Sequence, residues 1–274
     1  MPGELDPALV KARTVLLDAL EALDLHRGSL VLIGAQAVYQ HTGAGDLGVA
    51  PFTTDADLAI DPSTLIEDPK LVTALTDAGF VSEENQIGRW TGSGGVQVDL
   101  LVPEAVAGEG SRSADLGVHG RRVARRAKGI EAALIDHIVV EIIALDEEDG
   151  RRYQLRVAGP AALLVAKMHK LKDRKDTRRI SSKDALDVFR LLSLPVEDVA
   201  PRLGELLLHD DTGKVTREAL EALEEMFGSP AGVGSVLAGE AMELQSDPAL
   251  TRDSAAILAR DLLQAIGSIP DITL

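Results

Sequence analysis

A chain of 274 residues with 45% hydrophobic residues can bury one large core or two modest ones, and with only 3% aromatics that core must be aliphatic. The lack of cysteine excludes disulfides and thiolate metal sites, and a formal charge of −16 argues against nonspecific nucleic-acid binding over the whole surface. The opening MPGELDPALVKAR has neither the basic nor the apolar region of a signal peptide, and no apolar run approaches the roughly 20 residues that span a bilayer, so a cytoplasmic protein with no membrane partner is expected.

In chain order, residues 7–25 place apolar side chains at helical spacing, and His26-Arg27-Gly28 closes that helix. Residues 29–33 read as a short buried strand. Gly34 then turns the chain into a helix over 35–41, whose first amides could meet a phosphate; for a single glycine a simple tight strand-to-helix turn is the favoured reading. After a glycine-rich loop (42–51), Asp55-Ala56-Asp57-Leu58-Ala59-Ile60 alternates acid and apolar residues, so as a strand it carries both carboxylates on one face. Residues 69–79 form an amphipathic helix stopped by Gly79. Residues 87–90 and 96–102 read as a hairpin around Gly92-Ser93-Gly94-Gly95, a turn without phosphate-loop spacing. The segment 104–120 is irregular, 130–145 contains a helix-like start and a buried strand, and 153–157 gives one more strand. From Gly159-Pro160 onward the pattern is helical over 160–172, 182–193, 196–208, 216–227, 231–245 and 252–267. The expected architecture is a bilobed α/β (α+β) protein: a mixed sheet with helices in residues 1–158 and a mainly helical lobe in 159–274.

Asp99 adds a third acid, in the apolar strand Val98-Asp99-Leu100-Leu101-Val102. A carboxylate in an apolar strand requires a cation or a hydrogen-bond partner. Asp55, Asp57 and Asp99 on neighbouring strands could hold Mg²⁺ ions roughly 3.5–4 Å apart, the clamp used in phosphoryl displacement. Lys167 follows the apolar run Ala161-Ala162-Leu163-Leu164-Val165-Ala166, where an amine either snorkels out of the core or reaches for a ligand phosphate. Asp184 and Asp187 stand three apart at the start of a helix; for Asp187 the favoured reading is ordinary helix-terminus charge. Two basic islands interrupt the acidic chain, residues 112–128 with a net charge of +5 and 167–183 with +6. They suit either localised anion sites or solvated faces. His41 and His169 lie near these motifs and are read as structural or anion-contacting.

Taken together, Ile33-Gly34-Ala35, Thr53-x-Asp55-x-Asp57-Leu58, Leu163-Leu164-x-Ala166-Lys167-x(6)-Arg174 and Lys183-Asp184-x-x-Asp187 resemble the AbiEii-like nucleotidyltransferases. That family includes the toxins of AbiE and Men-type toxin–antitoxin systems, within the DNA polymerase β-type superfamily. The resemblance covers residues 29–192. It implies a Mg²⁺-dependent transfer of a nucleoside monophosphate from an NTP to an RNA acceptor, the 3′ end of tRNA, in a protein with a cognate antitoxin as partner. Asp55 and Asp57 would be the metal carboxylates, joined by Asp99. Lys167 would engage the triphosphate, and Asp184 would complete the active site. Gly34 and Ala35 would form the nucleotide-binding turn, with Thr53 beside the first aspartate and a phosphorylation target in some Men systems. Arg174 and Arg178 would neutralise the β- and γ-phosphates. Arg121, Arg122, Arg125, Arg126, Lys170 and Lys172 are the expected RNA-binding residues.

Two positions depart from the family pattern: Pro51 stands where an arginine is usual, and Ala35 where a second glycine or serine is usual. Two alternatives therefore stay open. One is a small-molecule nucleotidyltransferase of the aminoglycoside-modifying kind, whose acidic surface would suit a polycation. The other is a nucleotidyltransferase-like scaffold that binds a partner without catalysis.

Overall fold

The computed structural model describes residues 6–43, 53, 55–108, 112–176, 181–270 and 272, with Asp176 as backbone only. The described residues divide into two compact units: one within 1–39, 50–127 and 137–158, the other within 40–49, 128–136 and 159–274.

The first unit is built on a mixed sheet. Its elements are α1 (Pro7–Ala22), β1 (Leu30–Ile33), α2 (Gly34–Thr42), β2 (Asp55–Ile60), α3 (Leu71–Asp77), β3 (Val81–Ser82), β4 (Arg89–Thr91), β5 (Gln97–Pro103), β6 (Arg125–Ala127), β7 (His137–Ile143) and β8 (Arg152–Ala158). The strand order is β3-β4-β5-β2-β1-β8-β7, with β6 pairing with β5 off that path. β1 runs antiparallel to β2, and β2 runs parallel to β5. α1 starts at a proline, and the Asp6 carboxylate accepts from Ala8 N at 2.7 Å, a side-chain cap for one of the amides a helix start leaves unpaired. Leu16, Leu17 and Leu20 of α1 are fully buried, as are Leu30, Leu32, Leu58 and Ile60 of the central strands, so the core is aliphatic. Trp90, the single tryptophan, is also buried and donates its indole N–H to the Val123 carbonyl at 3.0 Å.

One strand differs from its sequence reading. β7 was expected to be buried, yet Ile138 is 48% and Val139 62% exposed. It is the last strand in the sheet order and, among the described residues, pairs with β8 alone; Ile142 is fully buried, and the exposed apolar side chains reflect edge-strand β propensity. The short strands β3 and β6, of two and three residues, are too brief for periodicity to mark.

The second unit contains α4 (Pro160–Asp176), α5 (Ser182–Leu192), α6 (Val196–Leu208), α7 (Gly213–Phe227), α8 (Val233–Ala241) and α9 (Pro248–Gly267). α4 opens on Pro160, and its Ala162 N–H is capped from a distance by Asp136 Oδ2 at 3.0 Å. Asp136 also receives Arg202 Nε at 3.3 Å. Gly159 permits that approach, because a Cβ there would stand 2.3 Å from an Asp136 carboxylate oxygen. His169 is buried on α4, with Nε2 2.8 Å from the Val215 carbonyl, which fixes it as structural.

Candidate active site

The sheet of the first unit carries an acidic face. Asp55 and Asp57 stand two apart on β2 and therefore point to one side, while Ala56, Leu58 and Ile60 are buried on the other. The parallel register sets Asp57 beside Asp99 on β5, and the antiparallel register of β4 with β5 sets Arg89 beside Asp99. Arg89, Asp99 and Asp57 thus form a row across three adjacent strands.

Each acid in this group has its own surroundings. Asp55 is half-buried, and its Oδ1 accepts the hydroxyl of the buried Thr53 at 2.8 Å. Asp57 is half-buried against the turn that starts α2: at Gly34 (φ +72°) a Cβ would lie 2.1 Å from Asp57 Oδ2. Any side chain at residue 34 would therefore displace that carboxylate. Ala35, next in the turn, is buried. Asp99 is buried and held by the Arg89 fork, Nε to Oδ1 at 2.7 Å and Nη2 to Oδ2 at 2.9 Å, with Arg125 Nη2 at 3.6 Å. The hydrogen bond to Asp99 raises the pKa of Arg89 against the effect of its own burial, and the charge of Asp55 adds to the rise.

The second unit concentrates charge around α4 and α5. Lys167 is only 4% exposed, Asp184 3% and Asp187 1%. Lys167 Nζ donates to Asp184 Oδ1 at 3.1 Å and to Asp187 Oδ2 at 2.5 Å. Lys170 Nζ also reaches Asp184 Oδ1 at 3.1 Å, and Arg174 pairs with Asp184 Oδ2. Burial by itself would raise the pKa of Asp184. The charges of Lys167, Lys170 and Arg174 outweigh it and bring the group down to about 2. Lys167, Lys170 and Arg174 thus all converge on Asp184, and Lys167 also on Asp187.

This depressed pKa sets a pH dependence. A carboxylate with a lowered folded pKa stabilises the fold above its unfolded value, roughly 4, and that stability is lost as pH falls through the folded value. The helical unit should therefore lose stability between about pH 4 and pH 2, the lower bound being the folded value of Asp184. Asp184→Asn should flatten that limb of a circular-dichroism titration while lowering stability at neutral pH.

The structure departs from sequence reasoning at several of these positions. Asp187, read as helix-terminus charge, is the most buried carboxylate around Lys167. The clue was its spacing of three from Asp184, which sets both on one helix face. Arg89 was overlooked, although pairing the predicted hairpin in register would have set it opposite Asp99. Arg178 and Pro51 lie outside the described residues. Lys172 is half-buried on α4.

Much of the 112–128 island is engaged within the protein. Arg121 pairs with Asp115 at 2.7 Å and Arg125 faces Asp99, while Arg122 donates to the Glu84 carbonyl and Arg126 to the Gly108 and Glu104 carbonyls. Among the described residues, Arg122 and Arg126 bond to carbonyls, while Arg121 and Arg125 face carboxylates.

Paired strand carboxylates thus stand beside a glycine turn in one unit, and a buried lysine–aspartate cluster lies in the other. The chain belongs to the nucleotidyltransferase family, whose model matches residues 12–205 and so spans both the acidic strands and the lysine cluster. Among solved structures, one from H. pylori provisionally named a nucleotidyltransferase is similar at 12% identity, covering 96% of this chain and 97% of that one, with a TM-score of 0.41. No curated protein matches the chain. Among the described residues, no helix is long and apolar enough to cross a membrane.

The donor set of the acidic face suits a hard divalent cation. Mg²⁺ typically takes one or two carboxylates and completes its shell with water and nucleotide phosphates. Asp55 and Asp57 offer such a pair, and Gly34 leaves room for it. Among the described residues no group of three or more His, Cys, Asp or Glu converges as a ready-made metal cage. Both Asp99 oxygens accept from Arg89, so Asp99 stands here as an ion-pair partner.

Proposed function

We propose that this protein is a Mg²⁺-dependent nucleotidyltransferase that moves a nucleoside monophosphate from an NTP to a hydroxyl of RNA, with the tRNA 3′ end as acceptor. The observation that carries the reading is the pair Asp55/Asp57 on one face of β2, with the Asp57 carboxylate set against the Cβ-less Gly34. In the reaction a bond forms between the acceptor oxygen and the α-phosphorus, and the bond from that phosphorus to the β-phosphate bridging oxygen breaks. Pyrophosphate leaves, and the hydroxyl proton passes to solvent.

Asp55 and Asp57 would hold Mg²⁺, with Asp99 as a third carboxylate once Arg89 lets go of it. When bound, the cation supplies charge neutralisation at the α-phosphate and a lowered pKa for the attacking hydroxyl. Thr53 donates to Asp55 Oδ1 and so helps to orient the carboxylate that would bind the cation. Lys167, Lys170 and Arg174 would neutralise the triphosphate charge, with Asp184 completing the site. Arg122 and Arg126, with Lys170 and Lys172, would bind RNA phosphates locally despite the acidic surface, and Arg121 and Arg125 would join on release from Asp115 and Asp99. Membership of an AbiEii/Men-like toxin–antitoxin pair, with a cytoplasmic antitoxin partner, follows from the motif resemblance and belongs to the same proposal.

Incubation with each α-labelled NTP, against total RNA and separately against aminoglycosides, tests the acceptor. Labelled tRNA from the wild type, lost in Asp55→Ala, is the expected result. Label on the aminoglycoside alone would replace RNA with a small polycation as acceptor. Label on neither, with no NTP bound in calorimetry, would favour the non-catalytic scaffold.

A further inference from the structure

Two deeply buried polar residues in the first unit take no part in the chemistry above. Arg13 of α1 is 5% exposed and Gln36 of α2 1%. Burying a guanidinium is costly, and its partners here are neutral: Nε donates to Gln36 Oε1 at 3.1 Å and Nη1 to the Ile143 carbonyl at 2.9 Å. Burial lowers the Arg13 pKa to about 10, which leaves it charged at neutral pH. Gln36 Nε2 in turn donates to the Ala12 carbonyl and to the Asp55 carbonyl, both at 3.2 Å.

The direction of this chain of bonds is fixed chemically. Arginine is a donor only, so the Gln36 amide must turn its oxygen toward Arg13 and its NH₂ toward Asp55. The Asp55 carbonyl is also 3.2 Å from the Thr53 hydroxyl, which has one proton and a second acceptor, Asp55 Oδ1, at 2.8 Å. The single Thr53 proton favours the shorter contact, to the carboxylate, while Gln36 supplies a donor to the carbonyl.

We infer that Arg13 and Gln36 are positioning residues for Asp55: Arg13 sets the Gln36 amide, Gln36 fixes the Asp55 peptide against the first turn of α2, and the carboxylate is thereby held ready for a divalent cation. The inference rests on the proposed role of Asp55 and Asp57 as cation ligands. A purely structural role for Arg13 makes a different forecast: Arg13→Met leaves the Gln36 Oε1 and Ile143 carbonyl acceptors unpaired and lowers stability, with Mn²⁺ affinity falling no further than in an equally destabilised core variant. Groups that orient a metal ligand from behind typically govern 10–100-fold in metal affinity.

The experiment measures Mn²⁺ affinity and the thermal midpoint of the full chain for the wild type, Arg13→Met, Gln36→Met, Leu75→Val and Asp57→Asn. Leu75, fully buried on α3, serves as a core control for lost stability. Arg13→Met is expected to weaken Mn²⁺ binding about tenfold, well beyond the loss in Leu75→Val whatever the shift in thermal midpoint, with Gln36→Met weakening it at least as much. Should Arg13→Met fail to fold, Gln36→Met alone decides by the same comparison. Wild-type Mn²⁺ affinity in these variants, or a loss no larger than that in Leu75→Val, would overturn the inference while leaving the carboxylate pair in place. Mn²⁺ binding that is absent in the wild type, or undiminished in Asp57→Asn, would remove the carboxylate pair itself and the inference with it.

Discussion

Lys167→Met is expected to be the most damaging single change in the helical unit, costing about 3–5 kcal/mol, the usual range when one partner of a buried ion pair is removed. The reason is local. Asp187 is 1% exposed and receives Lys167 Nζ at 2.5 Å, so removing the amine strands a buried carboxylate. Asp184 keeps Lys170 and Arg174 and suffers less. Urea denaturation should show the loss, and adding Asp187→Asn to Lys167→Met should recover a sizeable part of it, since an amide costs less to bury than an unpaired charge. If the double variant is no more stable than Lys167→Met, the stranded charge is not the cause. Recovery of stability should not restore nucleotidyl transfer, because the proposed triphosphate contact is still missing.

Gly34→Ala carries the second large effect, in the sheet unit. Gly34 has φ +72°, a conformation that costs a residue with a Cβ roughly 1–2 kcal/mol. The larger penalty is spatial: the new methyl would sit 2.1 Å from Asp57 Oδ2, so either the turn or the carboxylate must shift. A displacement of about 1 Å in a reacting group can cost on the order of 10²-fold in rate, and a loss of that size is expected here. Circular dichroism should show a folded protein of modestly lower stability, while Mn²⁺ binding and transfer fall together. Transfer at the wild-type rate in a folded Gly34→Ala protein would separate Asp57 from the chemistry.

The regular elements were readable because each announces itself locally. Asp55 to Ile60 alternates as a strand should, and the change at Gly159-Pro160 marks where helices take over. What escaped were properties created by pairing. Asp187 looks like a surface acid until α5 is packed on α4, where it becomes a buried partner of Lys167. Arg89 carries no signal until β4 and β5 are set in register. Arg13 is one basic residue in an amphipathic helix, and only tertiary structure turns it inward onto Gln36. Local pattern fixes elements; long-range register decides which charges meet.

The account as a whole depends on phosphorus chemistry at the α-position of an NTP. The most direct measurement offers the enzyme the same NTP labelled at the α- or the γ-phosphate, with RNA as acceptor and Mg²⁺ present. The account predicts that the α-label enters RNA, the γ-label is released in pyrophosphate, and both fates disappear in Asp57→Asn. Transfer of the γ-label to the acceptor, or undiminished α-label transfer by Asp57→Asn, would contradict it.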